Sequence, residues 1–281
     1  MTSLRSSDPD LPLAGLPSAG RALLRTAPVE LAIAEVRYAS VGESVSTDQA
    51  LAIKDFAEER GVIFTSLEPA QKNELMVEFG PSGANPQVQV SARGWQFGRD
   101  GGQILATVLP DSLVVQTNRY ERWSTSLRPI LEALILGIEA NLKPELLSRL
   151  GVRYVNRLVD ADATSALAWQ GRISDAFLGP VLDPVLGDKV VAAQQQVELS
   201  LGTAQGALIR HGAFRDAAAQ NSMSYLMDID VFDASTQRFS SSDVLGTSQR
   251  LNRTALALFK QVIEPSYWGT LPTSASKSDD D

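Results

Sequence analysis

Apolar positions along the first half of the chain switch between a period of two and a period near 3.6, and each switch marks an element. Residues 28–39 (PVELAIAEVRYA) alternate and predict a strand. Thr47, a residue type that caps helix N-termini, opens a predicted helix over 48–60, and Gly61 stops it. Alternating runs at 74–79, 87–97, 102–109 and 112–117 predict strands, separated by Gly80-Pro81, by the glycine-rich 98–102 and by Pro110-Asp111. Leu127, Ile130, Leu131, Leu134, Ile135 and Ile138 then fall at helical spacing and form one continuous apolar stripe.

The second half repeats the order. A strand is predicted over 150–159 and a helix over 164–178, closed by Gly179-Pro180. Strands follow at 190–201, 208–214 and 225–232, then a helix over 242–262 with Leu245, Leu251, Ala255, Leu258, Phe259 and Val262 on one side. Val36-Arg37-Tyr38 is echoed by Val152-Arg153-Tyr154. The expectation is an α+β protein made of two β-α-β(3–4)-α halves, 28–145 and 146–270, duplicated from one unit. No Gly/Ser/Pro-rich linker separates them, so their strands are expected to join in one curved antiparallel sheet with the long helices on one face. This order resembles the duplicated TATA-binding-protein-like (helix-grip) architecture, a resemblance that implies a fold and no function. Residues 1–27, broken by Pro12, Gly15, Pro17 and Gly20, read as a flexible lead-in, and 271–281 as a disordered acidic tail.

Strand parity sorts side chains by face. Val152, Tyr154 and Leu158 share one face and Arg153, Val155 and Arg157 the other; Met227, Ile229 and Val231 oppose Asp228 and Asp230. By the repeat, Arg37 and Glu35 join the polar face. These charges admit two readings: cross-strand ion pairs contributing roughly 0–1 kcal/mol each, or an arginine-lined site for an anionic ligand built from Arg37, Arg153, Arg157, Asp228 and Asp230. Mixed signs favour the first. Tyr120 and Trp123, where a strand passes into the long helix, read as a plug for the core or an interface pair.

Composition narrows the chemistry further. The absence of cysteine removes thiolate nucleophiles, iron–sulfur clusters and thiolate zinc sites. A net charge of −8 speaks against nucleic-acid binding by counterion release. No apolar run approaches the roughly 20 residues of a membrane span, and Asp8 and Asp10 stand where a signal peptide carries positive charge; the expected compartment is the cytoplasm. His211 is the one histidine, and it reads as a surface or half-buried residue rather than a catalytic base. The GRDGG run at 98–102 has no helix behind it to hold an anion and reads as a hairpin turn. The aspartates at 279–281 read as a solvated tail. No catalytic residue, metal site or cofactor is expected.

Several stretches, taken in order, resemble a sporadically distributed bacterial protein family of roughly this length with no established activity. They are residues 28–38, Gly94-Trp95-Gln96-Phe97 with Asp100-Gly101, Leu109-Pro110-Asp111, the Tyr120/Trp123 pair, 151–157, Leu226-Met227-Asp228-Ile229-Asp230, and 251–268 around Phe259. Glu121 and Arg122 stand where that pattern has a Pro-Gly turn. The resemblance implies a bacterial cytoplasmic origin. The functional expectation is a non-enzymatic module that offers its sheet to a protein partner or to a second copy. The alternative is a binder or hydrolase of an anionic small molecule on the arginine face.

Overall fold

The computed structural model describes residues 8–19, 23–24, 27–80, 83–219, 222–271 and 273–274; of residues 23, 73–80, 83–89 and 273–274 it describes the backbone. In chain order the elements are β1 (Leu23–Leu24), β2 (Val29–Tyr38), α1 (Thr47–Glu58), β3 (Ser66–Gly80), β4 (Gly83–Arg99), β5 (Ile104–Leu109), β6 (Ser112–Thr117) and α2 (Arg128–Asn141). They continue with β7 (Leu146–Leu158), β8 (Gln195–Gly202), β9 (Gln205–Asp216), β10 (Ser222–Asp233), β11 (Gln237–Arg238), α3 (Ser241–Val262), α4 (Pro265–Trp268) and β12 (Thr273–Ser274). A ten-stranded antiparallel sheet runs β3-β4-β5-β6-β2-β7-β10-β9-β8, with β11 added on β7. The α+β class and the single large antiparallel sheet are thus as the patterning implies.

The centre of the sheet is the β2–β7 pair, where Ala34 faces Val152 and Glu35 faces Gly151. One face of these strands carries Ala32, Val36, Val152, Tyr154, Met227 and Ile229, all buried. α3 lies against β7 and β10, and α2 against α3 and α1. Leu127, Ile130, Leu131, Leu134, Ile135 and Ile138 are buried as one stripe, so the helical period was set by what the helix had to cover. Pro129 occupies the first turn of α2, where no hydrogen bond is lost. The wide turn Trp123–Leu127 that leads into it is held by Ser126 Oγ, which accepts from the Glu121 and Arg122 amides at 3.0 and 3.3 Å.

Three expectations need correction. The cap of α1 is Ser46 rather than Thr47, because Gln49 lies three residues on and completes a reciprocal capping box: Ser46 Oγ accepts from the Gln49 amide, and Gln49 Oε1 from the Ser46 amide. The helix expected over 164–178 is a series of short 3₁₀ turns. Gly171 has φ +76° in the middle of it, a left-handed conformation that stops an α-helix. Trp169, Ile173, Leu178 and Val181 are buried there without helical periodicity. Finally, the lead-in is not free of the core. Leu13 is buried, its amide donates to Thr254 Oγ1 at 2.9 Å, and its turn touches both α3 and β8. Lys260 Nζ donates to the Ala19 carbonyl, and β1 pairs with β12. An apolar side chain next to an open apolar helix flank is buried whatever turn residues surround it. Residues 1–7, 20–22, 25–26, 81–82, 220–221, 272 and 275–281, with the aspartates of the tail, lie outside the described residues.

Candidate ligand cavity

The charges singled out by parity do share a face, and each guanidinium there meets a carboxylate. Arg153 Nε and Nη2 grip Asp228 Oδ1 and Oδ2, both at 2.7 Å, and Arg210 reaches the same carboxylate at 3.3 Å. Arg149, on β7, binds Glu35 of β2 and lies 3.5 Å from Asp230 of β10. Arg37 pairs with Glu35 at 2.8 Å while 56% of its side chain is exposed. Arg157 holds Asp216 at 2.8 Å and Glu30 at 2.5 Å. A hydrogen bond from Ser224, helped by the Ala218 amide and the Arg157 charge, keeps the Asp216 carboxyl below the usual carboxylate range. Burial pushes the Asp230 carboxyl up. Arg37, Arg153, Arg157, Asp228 and Asp230 therefore stand in a neutralised network, and none of the five lines the cavity described next.

His211 is buried, not half-exposed. Its Nδ1 lies 2.8 Å from the Tyr225 hydroxyl, its ring stands edge-on to Phe177, and its Nε2 has no partner among the described residues. Burial lowers its pKa below the usual histidine value. The adjacent Gly212 explains the tight setting: a Cβ there would sit 1.7 Å from the Ala193 carbonyl oxygen.

On the other face of β7 and β10, against α3, lies a cavity of about 520 Å³, within the usual range of small-molecule sites. Its sheet wall is Tyr154, Asn156 and Ile229, from inward positions of β7 and β10. Its helix wall is Asn252, Ala255, Leu256 and Phe259, successive turns of α3. Tyr120 and Trp123 close one end, and Trp268 of α4 stands edge-on to Phe259. Leu24, Ala27 and Pro28 add an edge from the segment before β2.

The polar groups within this apolar frame are ordered. Tyr120 donates to the Tyr154 hydroxyl at 3.4 Å, which donates to Asn252 Oδ1 at 2.8 Å. Burial raises both phenols above their ordinary range, so both stay protonated and act as donors rather than bases. Asn156 Nδ2 is spent on the Met227 and Tyr154 carbonyls. The Asn252 amide nitrogen has no partner among the described residues. Trp123 is only 7% exposed, yet its indole N–H has no partner among the described residues, and neither do Gln249 Oε1 and Arg253 Nε. Each such group ordinarily costs about 1–3 kcal/mol. These three atoms are enclosed, and the Asn252 amide nitrogen is the uncommitted donor of the cavity wall among the described residues.

The rim is charged. Arg122, Arg128 and Arg253 line it with Asp10 and Glu121. Asp10 Oδ1 accepts from Gln249 at 3.1 Å and lies 3.5 Å from Arg253; neither Arg122 nor Arg128 has an ion pair among the described residues. No group of three or more metal-ligating side chains occurs among the described residues, and no helix of the described residues is long and apolar enough to cross a membrane.

Tyr120 and Trp123 were legible as a pair, though as a core plug or interface rather than a cavity end. Asn156, Asn252, Arg253 and Trp268 were missed. Two left a signal: Asn156 shares the inward parity of Tyr154, and Asn252 interrupts the apolar stripe of α3 between Leu251 and Ala255. An amide in an inward position implies either an internal partner or a ligand. No protein-family model matches the chain, and no curated protein does.

Proposed function

We propose that this protein binds a small amphipathic molecule in the cavity between α3 and strands β7 and β10. The observation that carries the reading is the combination of aromatic walls with the uncommitted Asn252 amide nitrogen and two rim arginines, Arg122 and Arg128, that have no ion pair among the described residues. A solvated surface dissipates such charges; a half-enclosed apolar volume directs them at an occupant. The anionic small-molecule alternative is kept by this reading but moved to the other side of the sheet, because the arginines of the charged face are already paired. Titration calorimetry with 8-anilinonaphthalene-1-sulfonate tests it. One saturable site is expected, and Leu256→Trp, which fills the mouth, removes it; absence of any saturable site in the unmodified protein overturns the proposal.

A protein partner or second copy is the second reading. The turn-rich segment after β7 exposes Val185, Leu186 and Val191, apolar side chains within one loop.

We further read the halves as a duplication with the long helices on one face. Strand order supports it: from the centre outward the first half runs β2, β6, β5, β4, β3 and the second β7, β10, β9, β8. The offset of 116 residues between Val36 and Val152 is also that between Glu35 and Gly151, which face each other across the central pair. That register is what a two-fold axis between β2 and β7 requires. The bacterial family kinship and a cytoplasmic site of action belong to the same proposal, supported by the ordered motifs across 28–270.

A further inference from the structure

Asp10 is the observation that the cavity reading leaves over. It belongs to the stretch 8–19, which lies along α3, and its carboxylate rests on Gln249 and Arg253 at the cavity rim. Nothing about the turn around Asp10 demands this contact: Asp8, two residues earlier, satisfies the Asp10 amide locally. The side chain of Asp10 is itself mostly exposed, so it is held loosely. An internal carboxylate on an arginine and an amide is the arrangement that a bound carboxylic acid would adopt there.

We infer that the occupant of the cavity is an aromatic monocarboxylate, and that Asp10 is its internal stand-in, displaced when the ligand binds. The inference rests on the cavity being a ligand site. The charge assignment follows from the rim. With Asp10 moved away, Arg253 and the Gln249 amide that now hold it match one carboxylate, and Glu121 remains at the rim to oppose a second negative charge. The aromatic assignment follows from the walls. Tyr120, Trp123, Tyr154, Phe259 and Trp268 outnumber the branched aliphatic lining residues Leu24, Val29, Ile229 and Leu256. Arg253 Nη2, now 3.5 Å from Asp10, is the nitrogen that such a carboxylate would take over.

Calorimetry with 2-naphthoate and its neutral isostere 2-naphthamide decides it, using the full chain, Asp10→Asn and Arg253→Gln. Naphthoate is expected to bind about tenfold tighter than naphthamide, since a charge-assisted contact is the difference between them. Asp10→Asn is expected to tighten naphthoate about three- to tenfold while leaving naphthamide nearly unchanged, because the internal competitor is weakened. Arg253→Gln is expected to abolish the preference for naphthoate yet retain naphthamide binding, which shows that the variant is folded. Equal affinity for the two compounds in the unmodified protein overturns the carboxylate assignment while leaving the cavity reading intact. An Asp10→Asn protein with unchanged naphthoate affinity overturns the stand-in. Failure of both compounds to bind any of the three proteins sinks the ligand-site reading itself, and the inference with it.

Discussion

Replacing Arg153 by Met separates a buried-carboxylate pair from an ordinary surface pair. Arg153 is 39% exposed, but its partner Asp228 is 7% exposed and accepts both guanidinium bonds at 2.7 Å. Removing the guanidinium strands the carboxylate in low dielectric, while Met keeps the apolar stem of the side chain. A hydrogen bond to a charged group contributes about 1.5–3 kcal/mol. The two bonds act as one fork, and Arg210 at 3.3 Å retains a share of the carboxylate's partners; the expected loss is about 2–3 kcal/mol. Arg37→Met is the internal control. Its guanidinium is mostly in water, and Glu35 keeps Arg149, so the loss is about 0–1 kcal/mol. Urea unfolding at pH 7 measures both, with an unchanged m-value licensing the comparison. A loss below about 0.5 kcal/mol for Arg153→Met, or one equal to that of Arg37→Met, would refute the claim that burial of the partner sets the magnitude.

Leu134, fully buried at the centre of the α2 stripe, is expected to lose about 3–5 kcal/mol as Ala in the same assay. Leu13→Ala is expected to cost about 2–3 kcal/mol, where a free lead-in would cost nothing; thermal unfolding distinguishes the two. His211 has a folded pKa below its unfolded value, so the unfolded chain binds more protons under mild acid. Its contribution is whole above about pH 6.5 and is lost as pH falls from there toward the folded pKa. Urea midpoints measured across that window should fall for the unmodified protein and fall less for His211→Gln.

Period and parity reveal much of this fold because burial alone dictates them. The α2 stripe, the inward row Val152, Tyr154 and Leu158, and the outward row Arg153 and Arg157 all follow from which side meets water. What the patterns could not supply depends on partners distant in sequence. Leu13 is buried by α3, 241 residues on from it at Thr254. The 164–178 segment, closed by Gly179-Pro180, reads as a helix, but Gly171 has a left-handed backbone that no period announces. The charged residues of the site divide in the same way. Strand parity grouped Arg37, Arg153, Arg157, Asp228 and Asp230 correctly on one face, since alternation is local. Their burial is not local: Asp228 is enclosed because Arg153 and Arg210 fold over it. The cavity was the least legible feature, because its walls come from β7, β10, α3, α4 and the stretch before β2, which meet only in the folded chain. Tyr120 and Trp123 were visible as an aromatic pair whose use depends on what stands opposite.

The central claim is that the space between α3 and the sheet is made for an occupant. A crystal structure of the protein soaked with 2-naphthoate tests it most directly. The account requires ligand density between Tyr154, Asn252 and Phe259, with the carboxylate at Gln249 and Arg253 and Asp10 moved away from them. An unoccupied cavity with Asp10 still on Arg253, at ligand concentrations that saturate binding in solution, would contradict it.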